Sequence, residues 1–98
     1  MNITSKQRSI LKGIAMTEEP IFQIGKSGIS EEFAAAVAEA LEKRELVKLH
    51  VLKNNADDKN ETAYALAEMT DSVVVQVIGS MIVLFKYQHD PKKRKIEI

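Results

Sequence analysis

Hydrophobic residues recur every third or fourth position in three segments of the chain, which is the spacing of one face of a helix. A residue that can cap a helix precedes each segment: Thr4, Ser30 and Asp58. Thr4 and Asp58 are followed three positions later by Gln7 and Glu61, which is the capping-box spacing. The pattern therefore predicts three helices, over residues 5–15, about 31–43 and about 59–69.

Four shorter segments have the composition of strands. Residues 46–52 alternate, so that Val47 and Leu49 share one face while Lys48 and His50 share the other. The other three segments are rich in β-branched, aliphatic and aromatic residues, and they cover residues 21–24, 73–78 and 81–87. Because the first two strands flank a helix, they predict a βαβ unit with parallel strands.

The last two strands predict a hairpin, since the two residues between them, Gly79 and Ser80, fit a type II′ turn. Its predicted cross-strand pairs are Val75–Leu84 and Val77–Ile82 on one face, and Gln76–Val83 and Val74–Phe85 on the other. Both faces are therefore largely apolar. Either helices cover both faces, which is common for buried strands, or one face is a contact surface for a partner.

The order of elements predicts an α/β fold, α-β-α-β-α-β-β, with a four-stranded mixed sheet packed by helices. At 98 residues the chain has room for one hydrophobic core and not for two. The predicted domain covers residues 1–90. Residues 91–98 start with Pro91 and contain the run Lys92-Lys93-Arg94-Lys95, which predicts a basic, mobile tail. The run either adds non-specific affinity for phosphate or is only solvated.

Positive and negative charges balance, with 14 of each, but they are unevenly distributed along the chain. Residues 1–17 contain Lys6, Arg8 and Lys12 and no acidic residue. Arg8 and Lys12 are four positions apart, so we expect both on the outer face of the first helix. The charged residues of the segment 57–71 are five acids and one lysine. The folded chain is therefore expected to have a basic face and an acidic face despite its net charge of zero.

The composition also narrows the function classes. The absence of cysteine excludes disulfides, thiol nucleophiles and thiolate zinc sites, and it fits a cytoplasmic protein. No segment approaches the roughly 20 apolar residues of a membrane helix, so no membrane partner is expected. His50 and His89 lie 39 residues apart, and no carboxylate spacing indicates a metal site or a catalytic triad. We expect neither an enzyme nor a cofactor.

The most specific local motif is Gly25-Lys26-Ser27-Gly28, between the first predicted strand and the second predicted helix. Two glycines let backbone approach a ligand closely, and the amides of such a loop can hold a phosphate. The same glycines suit a plain strand-to-helix turn. The motif alone does not decide between these two interpretations.

The Gly-Lys-Ser sequence does not complete a P-loop. That motif requires a glycine five residues before Gly25, where this chain has Pro20, so no nucleotide cofactor is expected. Glu31 and Glu32 begin the next helix and would occupy the positive end of its dipole. Lys26 and the loop amides are therefore the better candidates for an anion contact.

Three motifs in this order resemble the CRM domains (chloroplast RNA splicing and ribosome maturation), particularly the stand-alone bacterial YhbY-like proteins. The motifs are Ile3-Thr4 with Lys6-Gln7-Arg8, then Ile24-Gly25-Lys26-Ser27-Gly28-Ile29-Ser30, then Val75-Gln76-Val77-Ile78-Gly79 leading into Ile82-Val83-Leu84. The similarity spans nearly the whole chain. Where the family often has a basic residue after the hairpin glycine, this chain has Ser80 and Met81.

The resemblance implies a fold similar to the C-terminal domain of bacterial translation initiation factor three. It also implies a monomer that binds ribosomal RNA, or a pre-ribosomal particle, during assembly of the large ribosomal subunit. The RNA-binding residues that it implies in this sequence are Gly25, Lys26, Ser27, Gly28, Lys6, Arg8 and Lys12. The alternative hypothesis is a protein-interaction module that docks through an apolar face of the hairpin, with Phe85 and Tyr87.

Overall fold

Within residues 2–98 the chain forms three α-helices and a four-stranded mixed sheet, which confirms the predicted fold class. The computed structural model describes residues 2–98, so the first residue of the predicted domain lies outside the described part. The helices are α1 (Ser5–Ala15), α2 (Glu31–Arg44) and α3 (Lys59–Thr70), and the strands are β1 (Phe22–Ile24), β2 (Leu46–Val51), β3 (Val73–Ile78) and β4 (Met81–Phe85). No helix within residues 2–98 is long and apolar enough to cross a membrane.

The predicted caps set the beginning of each helix. The Thr4 hydroxyl accepts a hydrogen bond from the Gln7 amide at 3.1 Å, and the Gln7 side chain accepts one from the Thr4 amide at 2.9 Å. Ser30 and Asp58 accept equivalent bonds three residues ahead, at 3.1 and 3.0 Å. Each bond satisfies an amide that has no partner within its own helix. All three helices therefore begin at the predicted residue.

The sheet has the strand order β1-β2-β4-β3, with β1 parallel to β2 and β4 antiparallel to both of its neighbours. Helices α2 and α3 cover one face, where Val37, Leu49 and Leu66 are fully buried. Helix α1 covers part of the other face and buries Leu11 against Phe85 and its neighbours. The helices on both faces explain why the hairpin strands are apolar on both sides.

Strand β3 contains a bulge at Val75, and this makes two of the four predicted cross-strand pairs wrong. On the turn side of the bulge the pairs are as predicted, Gln76–Val83 and Val77–Ile82. Beyond the bulge the register moves by one residue, and the pairs are Val74–Leu84 and Val73–Phe85. The hairpin turn itself begins at Gly79, whose φ of +56° meets the requirement of the predicted type II′ turn.

The C-terminal segment, residues 91–98, was expected to be a mobile tail, but it lies against the domain. Ile96 and Ile98 pack beside Tyr87 over the cluster that contains Phe85. The Arg94 guanidinium stacks on the Tyr87 ring, 4.7 Å from its centroid. The basic run hides these contacts in the sequence, because the residues that anchor the segment are the apolar ones around it.

The hairpin face that contains Phe85 is consequently not available to a partner protein. Phe85 has no exposed surface, and Tyr87 is half-buried beneath the C-terminal segment. The most exposed hydrophobic residue of the hairpin is Ile78, with 60% of its surface exposed. The alternative hypothesis of docking through Phe85 and Tyr87 therefore lacks the open surface that it requires.

Candidate functional site

The Gly25–Gly28 loop follows β1 at the end of the sheet where β2 also ends. The segment from Leu52 to Asp58, which joins β2 to α3, begins at this end. The hairpin turn lies there too, because the Ser80 carbonyl accepts a hydrogen bond from the Val51 amide at 2.7 Å. We call this part of the molecule, made of residues 25–28, 52–58 and 79–80, the loop end.

The glycine loop is a tight turn that requires a glycine at its last position. The Gly28 amide donates to the Gly25 carbonyl at 3.1 Å, which closes a four-residue turn. Gly28 has a φ of +71°, and a Cβ atom there would lie 3.1 Å from an Asp57 carboxylate oxygen. Lys26 and Ser27 occupy the exposed tip of the turn. Within residues 2–98, neither of their amides donates a hydrogen bond.

Asn55 holds the glycine loop from the neighbouring segment. Its side-chain amide donates to the Gly25 carbonyl at 2.8 Å, and its side-chain oxygen accepts from the Asp57 amide at 3.0 Å. The half-buried Asn55 therefore connects two loops with one side chain. Asn55 is not among the residues predicted for the site. The available signal was topological, since the carboxyl ends of neighbouring parallel strands meet at one edge of the sheet.

Aromatic packing anchors both sides of the same loop. Phe22 in β1 and Phe33 in the first turn of α2 meet edge to face, with 5.6 Å between ring centroids. The Leu52 amide also donates to the Ile24 carbonyl at 2.9 Å, directly before the loop. Packed residues on both sides of the loop therefore hold its exposed tip, and the tip amides, in a fixed position.

The charges around the tip are mixed. Glu31 and Glu32 are exposed in the first turn of α2, and Asp57 approaches Gly28. The exposed Lys26 forms no salt bridge or hydrogen bond with any residue in the described range 2–98. Its ammonium group, together with the two unpaired amides, is therefore available to an anionic ligand.

The basic residues of α1 have two kinds of surroundings. Arg8 is half-buried, and its Nη1 atom donates to the carbonyls of Val74 and Val75 at 2.6 Å each. Successive carbonyls of a regular strand point to opposite sides, so the bulge at Val75 allows one donor to reach both. The expectation of a fully outward Arg8 is therefore wrong. Lys12, one turn later, is exposed as expected, and Lys6 is also exposed.

The structure does not join α1 to the glycine loop by direct contact. Among the described residues, no hydrogen bond or salt bridge connects Lys6, Arg8 or Lys12 with residues 25–28. Helix α1 packs on the opposite face of the sheet from α2. A ligand would have to extend from the loop end across the sheet to meet both, and the contact of the α1 residues with RNA stays a prediction.

The described residues contain no cluster suited to a metal ion. No group of three or more histidine, aspartate or glutamate side chains is close enough to hold one within residues 2–98. His50 is a half-buried strand residue that pairs with Gln23 in β1 and Met81 in β4. Its place in the sheet gives it a structural role.

Sequence comparison assigns the chain to a family. The model of the CRS1/YhbY (CRM) domain matches residues 3–86. The chain belongs to this family. The resemblance inferred from the three motifs is thereby confirmed, and the match includes α1, the glycine loop and the hairpin.

Several relatives of this CRM domain have names that state a function. A Bacillus subtilis protein named probable RNA-binding protein YqeI is 44% identical over 91 residues, which cover 93% of this chain and 95% of the relative. A Haemophilus influenzae protein named RNA-binding protein is 30% identical, with 92% and 91% covered. A Methanocaldococcus jannaschii protein named as a probable RNA-binding protein is 37% identical, with 93% and 69% covered.

A solved structure has the same fold. The solution structure of a hypothetical protein from Staphylococcus aureus superposes with a TM-score of 0.80 at 47% sequence identity. The match covers 98% of this chain and all of the other. The arrangement of three helices around a mixed sheet therefore agrees with a structure solved for a similar sequence.

Proposed function

We propose that this CRM domain binds RNA, and that the Gly25-Lys26-Ser27-Gly28 loop grips the phosphate backbone. The observation that carries the proposal is the pair of unpaired amides at Lys26 and Ser27, which lie beside the Lys26 ammonium on an anchored turn. Amide and ammonium donors match the oxygen acceptors of a phosphate. The names of the relatives support RNA as the source of that phosphate.

Backbone recognition of this kind positions the RNA without reading its sequence. All the donors at the tip suit a phosphate or a ribose, and no aromatic side chain is present within residues 25–28 on which a base could stack. Lys6 and Lys12 add exposed charge on α1, and Arg8 belongs to the proposed surface through its remaining guanidinium nitrogens. The protein is proposed to act by binding, as a monomer and without catalysis.

Ribosomal RNA is the proposed target, within precursors of the large subunit in the cytoplasm. The membership in the CRM family supports this more specific proposal. Sedimentation of lysates from cells that express the tagged chain tests it. The wild-type chain is expected to co-sediment with large-subunit precursors, and Lys26→Gln is expected to shift toward the top of the gradient. Equal sedimentation of both proteins with mature particles alone would contradict the proposed target.

The loop contact is tested by measuring RNA affinity as a function of salt. Each phosphate contact makes the slope of log K against log salt concentration more negative by about 0.7 to 0.9. Contacts from Lys26, Lys12 and Lys6 therefore predict a slope of roughly −2 or steeper. Lys26→Gln should make the slope shallower by about 0.7. Ala65→Glu is the control, since it lowers the net charge equally from an exposed position of α3. Equal slopes for both variants would refute the loop contact.

A further inference from the structure

The longest run of basic residues in the sequence, Lys92-Lys93-Arg94-Lys95, lies at the opposite end of α2 from the glycine loop. Helix α2 has 14 residues, so its ends are about 21 Å apart. At its C-terminal end, Lys43 and Arg44 approach the C-terminal segment. We call this region, made of residues 42–45 and 88–98, the tail end.

An open groove at the tail end is lined mainly by basic side chains. Its volume is about 710 Å³, and its charged lining residues are Glu42, Lys43, Lys92, Lys93, Arg94 and Lys95. The one acidic residue among them, Glu42, is paired with Lys86 at 3.1 Å, and Lys43 is paired with Glu39 at 3.3 Å, which leaves Lys92, Lys93, Arg94 and Lys95 as the charged lining residues without an ion-pair partner within residues 2–98. The groove therefore presents an excess of positive charge that the zero net charge of the chain conceals.

The ammonium groups of the lysines in the C-terminal segment bond to no other part of the described chain. Lys92, Lys93 and Lys95 are exposed, and their side chains form no hydrogen bond or salt bridge with any residue from 2 to 98. Arg94 is different, because its guanidinium stacks on Tyr87 and its Nε atom donates to the Gln88 carbonyl at 2.9 Å. Arg94 thus anchors the segment and the three lysines face solvent.

Glu45 fixes the backbone that carries these lysines. Its carboxylate is 1% exposed and accepts hydrogen bonds from the amides of Lys95 at 2.6 Å, Ile96 at 3.0 Å and Gln88 at 3.1 Å. Glu45 also adopts a φ of +66°, an unusual conformation for a residue with a side chain. A buried carboxylate with three amide donors holds the segment in one place, whereas a solvated tail has no such anchor.

We propose that the tail end is a second RNA-binding surface, which holds a phosphate-rich segment of the same RNA that the glycine loop binds. This inference rests on the proposed RNA-binding function. One RNA strand that meets both surfaces must extend along α2, over about 21 Å. Two linked contacts on one RNA strengthen each other, because the second binding event is intramolecular.

The test uses the full-length chain and a single-stranded RNA of about 20 nucleotides, long enough to reach both surfaces. The triple variant Lys92→Gln, Lys93→Gln, Lys95→Gln should make the salt slope shallower by about 2 and weaken binding at low salt roughly ten- to a hundredfold. The single variant Lys93→Gln should lose about 0.7 of the slope, while Ala65→Glu, with the same change in net charge, should lose none.

The Glu45→Gln variant separates two effects on RNA binding: the position of the C-terminal segment and the charge of its lysines. This variant raises the net charge by one, so simple attraction predicts binding that is as strong or stronger. The proposal predicts weaker binding, because the neutral amide holds the segment less firmly while all the lysines remain. Circular dichroism shows whether the Glu45→Gln variant is folded. If it is unfolded, the triple lysine variant alone decides, because its three substitutions are on exposed side chains.

The outcomes distinguish this inference from the function on which it rests. If the wild-type chain binds the RNA and Lys26→Gln weakens binding, but the triple variant keeps the wild-type slope, the tail end is only a solvated basic segment and the inference is overturned. If the wild-type chain does not bind RNA, both proposals fail together. A triple variant that loses the expected slope while Lys26 retains its own effect supports two surfaces.

Discussion

The loop end and the tail end each use one side chain to hold a neighbouring segment in place. That side chain is a neutral amide at the loop end and a carboxylate at the tail end. At the loop end, the neutral side chain of Asn55 bonds to the Gly25 carbonyl and leaves the amides at the tip unpaired. At the tail end, the buried Glu45 carboxylate takes up three backbone amides. The loop end therefore offers directional backbone donors to a ligand, whereas the tail end offers basic side chains, chiefly those of Lys92, Lys93 and Lys95.

The largest effect on stability should come from the buried carboxylate of the tail end. Glu45→Ala removes the acceptor of three amides, and hydrogen bonds to charged groups are the strong ones, so we expect a loss of about 2 to 4 kcal/mol in the free energy of unfolding. Urea denaturation measures this loss. Glu39→Ala, which removes an exposed ion pair with Lys43, should cost at most about 0.5 kcal/mol.

A second substitution at Glu45 separates the contribution of the carboxylate to stability from the cost of the unusual backbone angle. Glu45→Gly also lacks the carboxylate, but glycine adopts a positive φ without strain, so this variant should be about 1 kcal/mol more stable than Glu45→Ala. Equal stability of the two variants would show that the unusual backbone angle carries no cost. If Glu45→Ala proved no more harmful than Glu39→Ala, the account of the tail end would be wrong.

Arg8 tests which basic residues belong to the fold and which are left for a ligand. Because Nη1 donates to two carbonyls at the β3 bulge, Arg8→Ala should lower the free energy of unfolding by about 2 kcal/mol. Lys12→Ala, on the same side of α1 and exposed, should change stability by less than about 0.5 kcal/mol. Thermal unfolding of both variants would contradict this assignment if their midpoints fell equally.

The glycine pair of the loop end allows a matched comparison at one motif. Gly28→Ala places a side chain at a φ of +71° and close to Asp57, so it should cost about 1 to 2 kcal/mol and distort the tip. Gly25→Ala meets only ordinary contacts, at 3.7 Å to Leu52 and 3.8 Å to Asn54, and should be nearly neutral. Denaturation curves give the stabilities. Similar losses at both positions would show that the turn geometry does not matter.

Apart from the control substitutions, Asn55→Ala should have the smallest effect on stability. Asn55→Ala removes one donor and one acceptor from a half-buried site, which should cost about 1 kcal/mol. It should also weaken RNA binding several-fold, because the loop loses its support while Lys26 is unchanged. Asn54→Ala is the control, since Asn54 is exposed and forms no hydrogen bond within residues 2–98. Identical RNA affinities for the two variants would remove Asn55 from the site.

The sequence predicted what depends on local spacing and missed what depends on distant contacts. The caps Thr4, Ser30 and Asp58 lie within three residues of their partners, so the beginning of each helix was predictable. The β3 bulge is bonded by Arg8, which lies 66 and 67 residues away from Val74 and Val75, and no local pattern indicates it. The glycine motif was visible in the sequence, but its support by Asn55, 30 residues away, required the fold.

The docking of the C-terminal segment shows the same limit more strongly. Its composition indicates a solvated tail, because four consecutive residues are basic. The contacts that oppose this interpretation come from Glu45, 50 and 51 residues away from its partners Lys95 and Ile96. A glutamate at the end of a helix is ordinary in sequence, and only its burial distinguishes it.

The most direct test of RNA binding at the loop end is a titration of isotope-labelled protein with single-stranded RNA, followed by backbone amide NMR. The account predicts that the amides of Lys26, Ser27 and Gly28 shift most among the residues of the loop end, and that these shifts diminish as salt is added. Amides of Lys26 and Ser27 that remained unchanged at RNA concentrations that saturate the protein would contradict the central claim.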